Sequence, residues 1–89
     1  MRRNPDFLLR VVAGTNVVVP IGMATENFAG MINLNASGVF LWNQLETDQT
    51  PETLAEALTR EYEVDMTRAR MDVNRFLERL IPTGAILDL

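Results

Sequence analysis

Residues 20–42 read Pro20-Ile-Gly-Met-Ala-Thr-Glu-Asn-Phe-Ala-Gly-Met-Ile-Asn-Leu-Asn-Ala-Ser-Gly-Val-Phe-Leu-Trp42, and the order of elements in this stretch decides the fold. From Gly22 to Gly30 it is too polar and irregular for a regular element, although Phe28 is placed to fold back as a packing anchor. Residues 31–34 have the composition of a very short strand. Asn35 then supplies a helix N-cap, with Leu34 and Val39 spaced across it as a hydrophobic staple. The helix that follows, about residues 36–45, carries Val39, Phe40, Leu41 and Trp42 in succession. It is apolar almost all round and must be buried on more than one side.

Working outward toward the start, residues 7–13 and 16–21 are short and rich in β-branched side chains, with Gly14 and Thr15 between them. This reads as a hairpin. Pro20 cannot donate to a ladder and bounds the pairing. Toward the end, Thr50-Pro51-Glu52-Thr53 is a helix start signal, with a capping hydroxyl, proline at the first helical position and an acid in the first turn. Leu54, Leu58 and Tyr62 follow at helical spacing. Asp65 caps a third helix, with Val64 and Ala69 at staple positions and an apolar side of Met66, Ala69, Val73, Phe76, Leu77 and Leu80. Pro82 and Gly84 end it. The apolar tail, residues 85–89, adds a short strand, lies against the core or frays. The expected fold is α+β and winged helix-turn-helix-like: a three-stranded antiparallel sheet followed by three helices, with the helix-turn-helix around residues 63–65. Eighty-nine residues suffice for one compact domain, so a single domain spanning residues 1–89 is expected, of modest stability because such a chain buries only roughly 60 to 65% of the surface its unfolded form exposes.

The chain has no cysteine, histidine or lysine, which removes thiolate nucleophiles, imidazole bases, Schiff-base amines and the soft ligands of zinc and iron-sulfur sites. Ser37 is its one serine, and nothing is present to activate it as a triad nucleophile. Acid pairs such as Glu52 with Glu56 or Glu61 with Glu63 lie in a generally acidic tract and read as a solvated face. The expectation is a non-catalytic protein without cofactor or metal. No run approaches the roughly 20 apolar residues of a membrane span, and the charged start lacks a signal-peptide core, so a soluble, cytoplasmic protein that binds no membrane is expected.

Twelve acids and eight bases give a net charge of −4, unevenly spread. Residues 44–66 hold seven acids against Arg60 alone, whereas Arg68, Arg70, Arg75 and Arg79 outnumber Asp72 and Glu78 in the next segment. Two features there and nearby suit recognition. The strand Met31-Ile32-Asn33-Leu34 would be the edge of its meander, with unpaired main-chain groups able to accept another strand. The outward stripe of the third helix, Arg68, Met71, Asp72, Arg75 and Arg79, combines an adaptable thioether with guanidinium groups that pair with acidic partners. An ordinary short edge and an ordinary solvated face are the plain alternatives. A winged helix-turn-helix also suggests DNA binding, but Glu52, Glu56, Glu61 and Glu63 stand where phosphates would lie.

Across nearly the whole chain the sequence resembles the PqqD family of pyrroloquinoline quinone biosynthesis and the related recognition domains for ribosomally made, modified peptides. The resemblance is carried by Asn4 to Arg10, by Pro20-Ile21-Gly22, Phe28, Gly30-Met31-Ile32, Leu34-Asn35, Gly38 and Phe40-Leu41-Trp42, by the helix from Thr50 to Tyr62, and by Val64-Asp65. It implies capture of the leader segment of a precursor peptide, which adds as a strand beside the third strand and lies against the third helix. Carried over, main-chain contacts fall at Met31, Ile32, Asn33 and Leu34, and side-chain contacts at Arg68, Met71, Asp72, Arg75 and Arg79. It implies further that the bound precursor is presented to a radical S-adenosylmethionine modifying enzyme, and that no nucleic acid is bound. A DNA-binding regulator and a structural interaction module remain the alternatives. Pro82 departs from the family's usual passage into the tail, and the chain is expected as a monomer or a strand-mediated dimer.

Overall fold

A computed structural model of the chain describes residues 1–28 and 30–88. Its elements in order are β1 (Arg2–Arg3), β2 (Phe7–Val12), β3 (Thr15–Pro20), a 3₁₀ turn (Gly22–Glu26), β4 (Ile32–Asn33), α1 (Ala36–Gln44), α2 (Pro51–Glu61), α3 (Met66–Leu80), a second 3₁₀ turn (Ile81–Thr83) and β5 (Ile86–Leu87). The three-stranded antiparallel sheet β2-β3-β4 followed by three helices is the arrangement expected from the sequence.

The hairpin differs from its sequence reading by one residue. Val12 pairs with Thr15, so the turn is Ala13–Gly14 rather than Gly14–Thr15. Both turn residues have positive φ, 50° at Ala13 and 78° at Gly14, the type I′ geometry whose twist matches that of paired strands. A non-glycine residue at positive φ costs about 1–2 kcal/mol, which is why Ala13 does not announce itself as a turn residue. The segment read as an irregular loop contains a 3₁₀ turn over Gly22–Glu26. Phe28 after it does anchor the loop, its ring 6.4 Å from that of Phe7.

Within the tail, Ile86–Leu87 form a strand, and residue 89 lies outside the described residues. β5 pairs with β1, Arg3 opposite Ile86, in a two-stranded sheet that the sequence reading lacked. The start of the chain is tied down further: the Arg3 N–H donates to the Leu45 carbonyl, Asn4 N–H to that of Ala85, and the Asn4 amide to that of Gly84. Pro82 sits inside the 3₁₀ turn that extends α3, and Gly84 at φ 86° turns the chain back so that Ala85 and Ile86 are buried.

The core lies between the sheet and the helices. Phe7, Val18, Ile32 and Leu34 meet Leu41, Trp42 and Leu45 of the α1 region, Leu54 and Leu58 of α2, and Val73, Phe76, Leu77 and Leu80 of α3. Each such side chain contributes about 1.5–3 kcal/mol on burial. Met66, expected on the apolar side of α3, is only partly buried at its first turn. All three helices start as their caps predict: Asn35 accepts from the Gly38 N–H, Thr50 and Thr53 form a reciprocal capping box, and Asp65 accepts from the Arg68 N–H. Among the described residues no helix is long and apolar enough to cross a membrane.

Candidate functional site

β4 is two residues long because chemistry on either side stops it: the bend at Gly30 precedes it, and Asn35, two residues after its end, turns the chain into α1. Among the described residues it pairs antiparallel with β3 alone, Ile32 opposite Val18 and Asn33 opposite Val17. The Leu34 N–H donates to the Asn16 carbonyl at 2.9 Å. Antiparallel pairs alternate between bonded and non-bonded, so the main-chain groups of Ile32 and Leu34 face β3 while those of Asn33 face outward. The side chains alternate as well, Ile32 and Leu34 buried in the core and Met31 and Asn33 exposed.

Beside this edge lies a groove of about 240 Å³ between the start of α1 and α3. Its apolar floor comes from Leu34, Leu41 and Phe76, and one wall is Asn35, Ser37 and Gly38. The opposite wall is Arg68, Asp72, Arg75 and Arg79, which fall on one face of α3 at three-and-four spacing. The α1 wall is held by its cap. Asn35 Oδ1 accepts from the Gly38 N–H at 2.9 Å and from the Ser37 hydroxyl at 3.1 Å.

The α3 wall is more ordered than a generic solvated face. Arg68 Nε pairs with Asp72 one turn later at 3.2 Å. Arg79 Nη2 reaches across the groove and donates to the Asn33 carbonyl at 2.6 Å. Arg75 makes no ion pair among the described residues. Arg70 points the other way and pairs with Glu52 of α2 at 2.8 Å, fastening the helix-turn-helix. That guanidinium holds the Glu52 carboxyl below its usual range, chiefly through the hydrogen bond. The groove wall thus carries three guanidinium groups against one carboxylate, in a chain whose net charge is −4.

Of the residues singled out from the sequence, Leu34, Arg68, Asp72, Arg75 and Arg79 line the groove, and Asn33 stands at its open edge. Ile32 lies beneath the edge with its side chain in the core. Met31 is exposed on the opposite face of the strand, and Met71, although 48% exposed, is outside the groove lining. Asn35, Ser37, Gly38, Leu41 and Phe76 complete the lining, and the sequence pattern does not mark them as site residues. Asn35 and Gly38 carried a signal nonetheless, a cap and a glycine in a helix's first turn, but it reads as local structure. A second, wider hollow of about 550 Å³ opens near the chain start and is lined by Arg2, Arg3, Phe7, Leu9 and Trp42 among others. Nothing in the sequence pointed to it.

The comparisons with known proteins fit this architecture. The family model described as coenzyme PQQ synthesis protein D (PqqD) matches residues 22–86, more than half of the chain. No curated protein matches. Among solved structures, TbiB1 in complex with the TbiA(beta) leader peptide superposes with a TM-score of 0.72 at 22% identity, covering 99% of this chain and 100% of that one. Lasso peptide synthetase B1 complexed with the leader peptide gives a TM-score of 0.71 at 24% identity, covering 98% of this chain and 96% of that one. At such identities the two structures speak for the fold, and the family match speaks for descent. The chain belongs to the PqqD family.

Proposed function

We propose that this protein is a leader-peptide carrier: it binds the leader segment of a ribosomally made precursor as a strand added to the edge of β4, with the leader's side chains settling into the groove against α3. The observation that carries the reading is the position of Asn33. Its main-chain groups face outward at the mouth of a groove with an apolar floor and a basic wall. The open main-chain donor of Asn33, and the groups of Met31 where it continues the same outward parity, contribute about 1 kcal/mol each on pairing, whereas the Asn33 carbonyl already accepts from Arg79. Micromolar binding needs about 8 kcal/mol, so the rest must come mainly from burial of the leader's own apolar side chains in the groove, since the floor residues Leu34, Leu41 and Phe76 are themselves almost fully covered. Membership of the PqqD family and the leader peptides bound by the two similar structures support the reading.

In this account the protein is not an enzyme. Residues 1–89 act as one recognition domain that delivers the precursor, in the cytoplasm, to a modifying enzyme of the radical S-adenosylmethionine type, in pyrroloquinoline quinone or related peptide biosynthesis. Neither nucleic acid nor membrane is a partner. Two of the four arginines of α3 that would favour DNA are engaged by Asp72 and Glu52.

Calorimetric titration tests this with a synthetic leader from the precursor encoded beside the chain's gene, against a scrambled leader and a DNA duplex. Micromolar or tighter binding to the leader alone is expected. Binding to the duplex, or equal binding to the scrambled peptide, would overturn it.

A further inference from the structure

The hydrogen bond from Arg79 to Asn33 occupies the same main-chain carbonyl that strand addition needs. Arg79 is exposed in the last turn of α3, Asn33 is exposed in β4, and the two meet at 2.6 Å across the mouth of the groove. In the outward-facing pair that an incoming strand would make, its N–H donates to the Asn33 carbonyl and its C=O accepts from the Asn33 N–H. The acceptor half of that pair is filled by a guanidinium, and the donor half is open. A charge-assisted bond is stronger than the neutral amide bond that would replace it. Exchange at Asn33 therefore brings little gain when the exposed guanidinium is released only to water, and more when it meets a charged acceptor.

The groove lining holds one carboxylate, shared among three guanidinium groups. Asp72 is engaged by Arg68, and Arg75 beside it adds a second cation to the same wall. A carboxylate on the ligand is the charged acceptor that this wall is short of. Side chains of an added strand alternate, and those next to the residue paired with Asn33 point to the face on which Leu34 and the groove lie.

Resting on the leader-carrier reading, we propose that Arg79 latches the docking edge in the free protein and moves, on binding, from the Asn33 carbonyl to a leader carboxylate. It thereby selects leaders that carry an acidic side chain next to the residue pairing with Asn33. Arg79 is a specificity-determining residue in this scheme, and the latch keeps the edge closed to strands without the acid, including the edges of other copies of the chain.

Two measurements on the full chain test the proposal. The first needs no ligand: the carbonyl carbon resonance of Asn33 is compared in the wild type, Arg79→Gln and Arg60→Gln, a control on α2 outside the groove. A shift in Arg79→Gln alone is expected; an unmoved Asn33 carbonyl overturns the latch. The second is titration with the synthetic leader encoded beside the gene and with versions in which each acidic residue is singly replaced by its amide. One replacement should weaken binding to the wild type about two- to fivefold, the range of an exposed ion pair, and cost nothing in Arg79→Gln. The amide leader should bind Arg79→Gln more tightly than it binds the wild type. Leader binding that is strong but indifferent to both changes overturns the selection by Arg79 and leaves the carrier reading standing. No binding of any leader overturns both.

Discussion

Gly38 approaches Leu34 so closely that a Cβ on it would lie 3.3 Å from the Leu34 Cβ and 3.2 Å from Asn35 Oδ1. Helix propensity alone makes Gly38→Ala a gain of about 1 kcal/mol. The neighbours oppose it. Leu34 is buried and its Cβ is fixed to the backbone of the β4–α1 junction, while Asn35 Oδ1 is the cap acceptor. The expected result is a lower Tm and weaker leader binding, read by thermal unfolding and titration. A rise in Tm with unchanged affinity would mean that the junction gives way easily.

Proline substitutions separate the two sides of β4. At Asn33 proline removes an outward donor and leaves the ladder to β3 intact; at Ile32 it removes an inward one. Asn33→Pro should stay folded and bind the leader about tenfold more weakly. Ile32→Pro should lose about 3 kcal/mol or more of stability in urea unfolding, through the lost ladder bond together with the lost packing of a buried side chain, and Ile32→Val, which keeps the donor, measures the packing share. Equal stability loss in both variants would contradict the register.

The caps provide a control for stability. Asn35→Ala and Thr50→Ala each remove a capping acceptor and should each cost about 1 kcal/mol. Only Asn35 lines the groove. Leader affinity should therefore fall in Asn35→Ala and hold in Thr50→Ala, compared at a temperature where both are folded.

The Arg70–Glu52 pair should leave a pH signature. Glu52 is held below its ordinary value of 4.5 in the folded chain, so its contribution is present above that value and is lost as pH falls through the lowered one. Arg70→Gln should be slightly less stable than the wild type at pH 7. The gap should close in acid, as read from urea midpoints at pH 7 and pH 3.

The elements that sequence displayed most plainly are those whose signals are local. Asn35, Thr50 and Asp65 are caps by residue type and position, and each caps a helix. The apolar spacing of Val73, Phe76, Leu77 and Leu80 likewise set the buried side of α3. What escaped was set by tertiary contact. β1 and β5 are two residues each and form because Arg3 and Asn4 are bonded to Leu45, Ala85 and Gly84 from across the chain. The site divided the same way. Arg68, Asp72, Arg75 and Arg79 were legible as a helical stripe, whereas Met71 falls beside the groove because its rotation on α3 exceeds what the stripe tolerates. Arg79 meeting Asn33 over 46 positions could not be read from spacing at all.

The central claim, strand addition at β4, is tested most directly by amide hydrogen exchange at Asn33 with and without bound leader. The account predicts slow exchange at Asn33 only in the complex, with Ile32 and Leu34, already bonded to β3, changing far less. Saturating leader binding with the Asn33 amide still exchanging as in the free protein would contradict it.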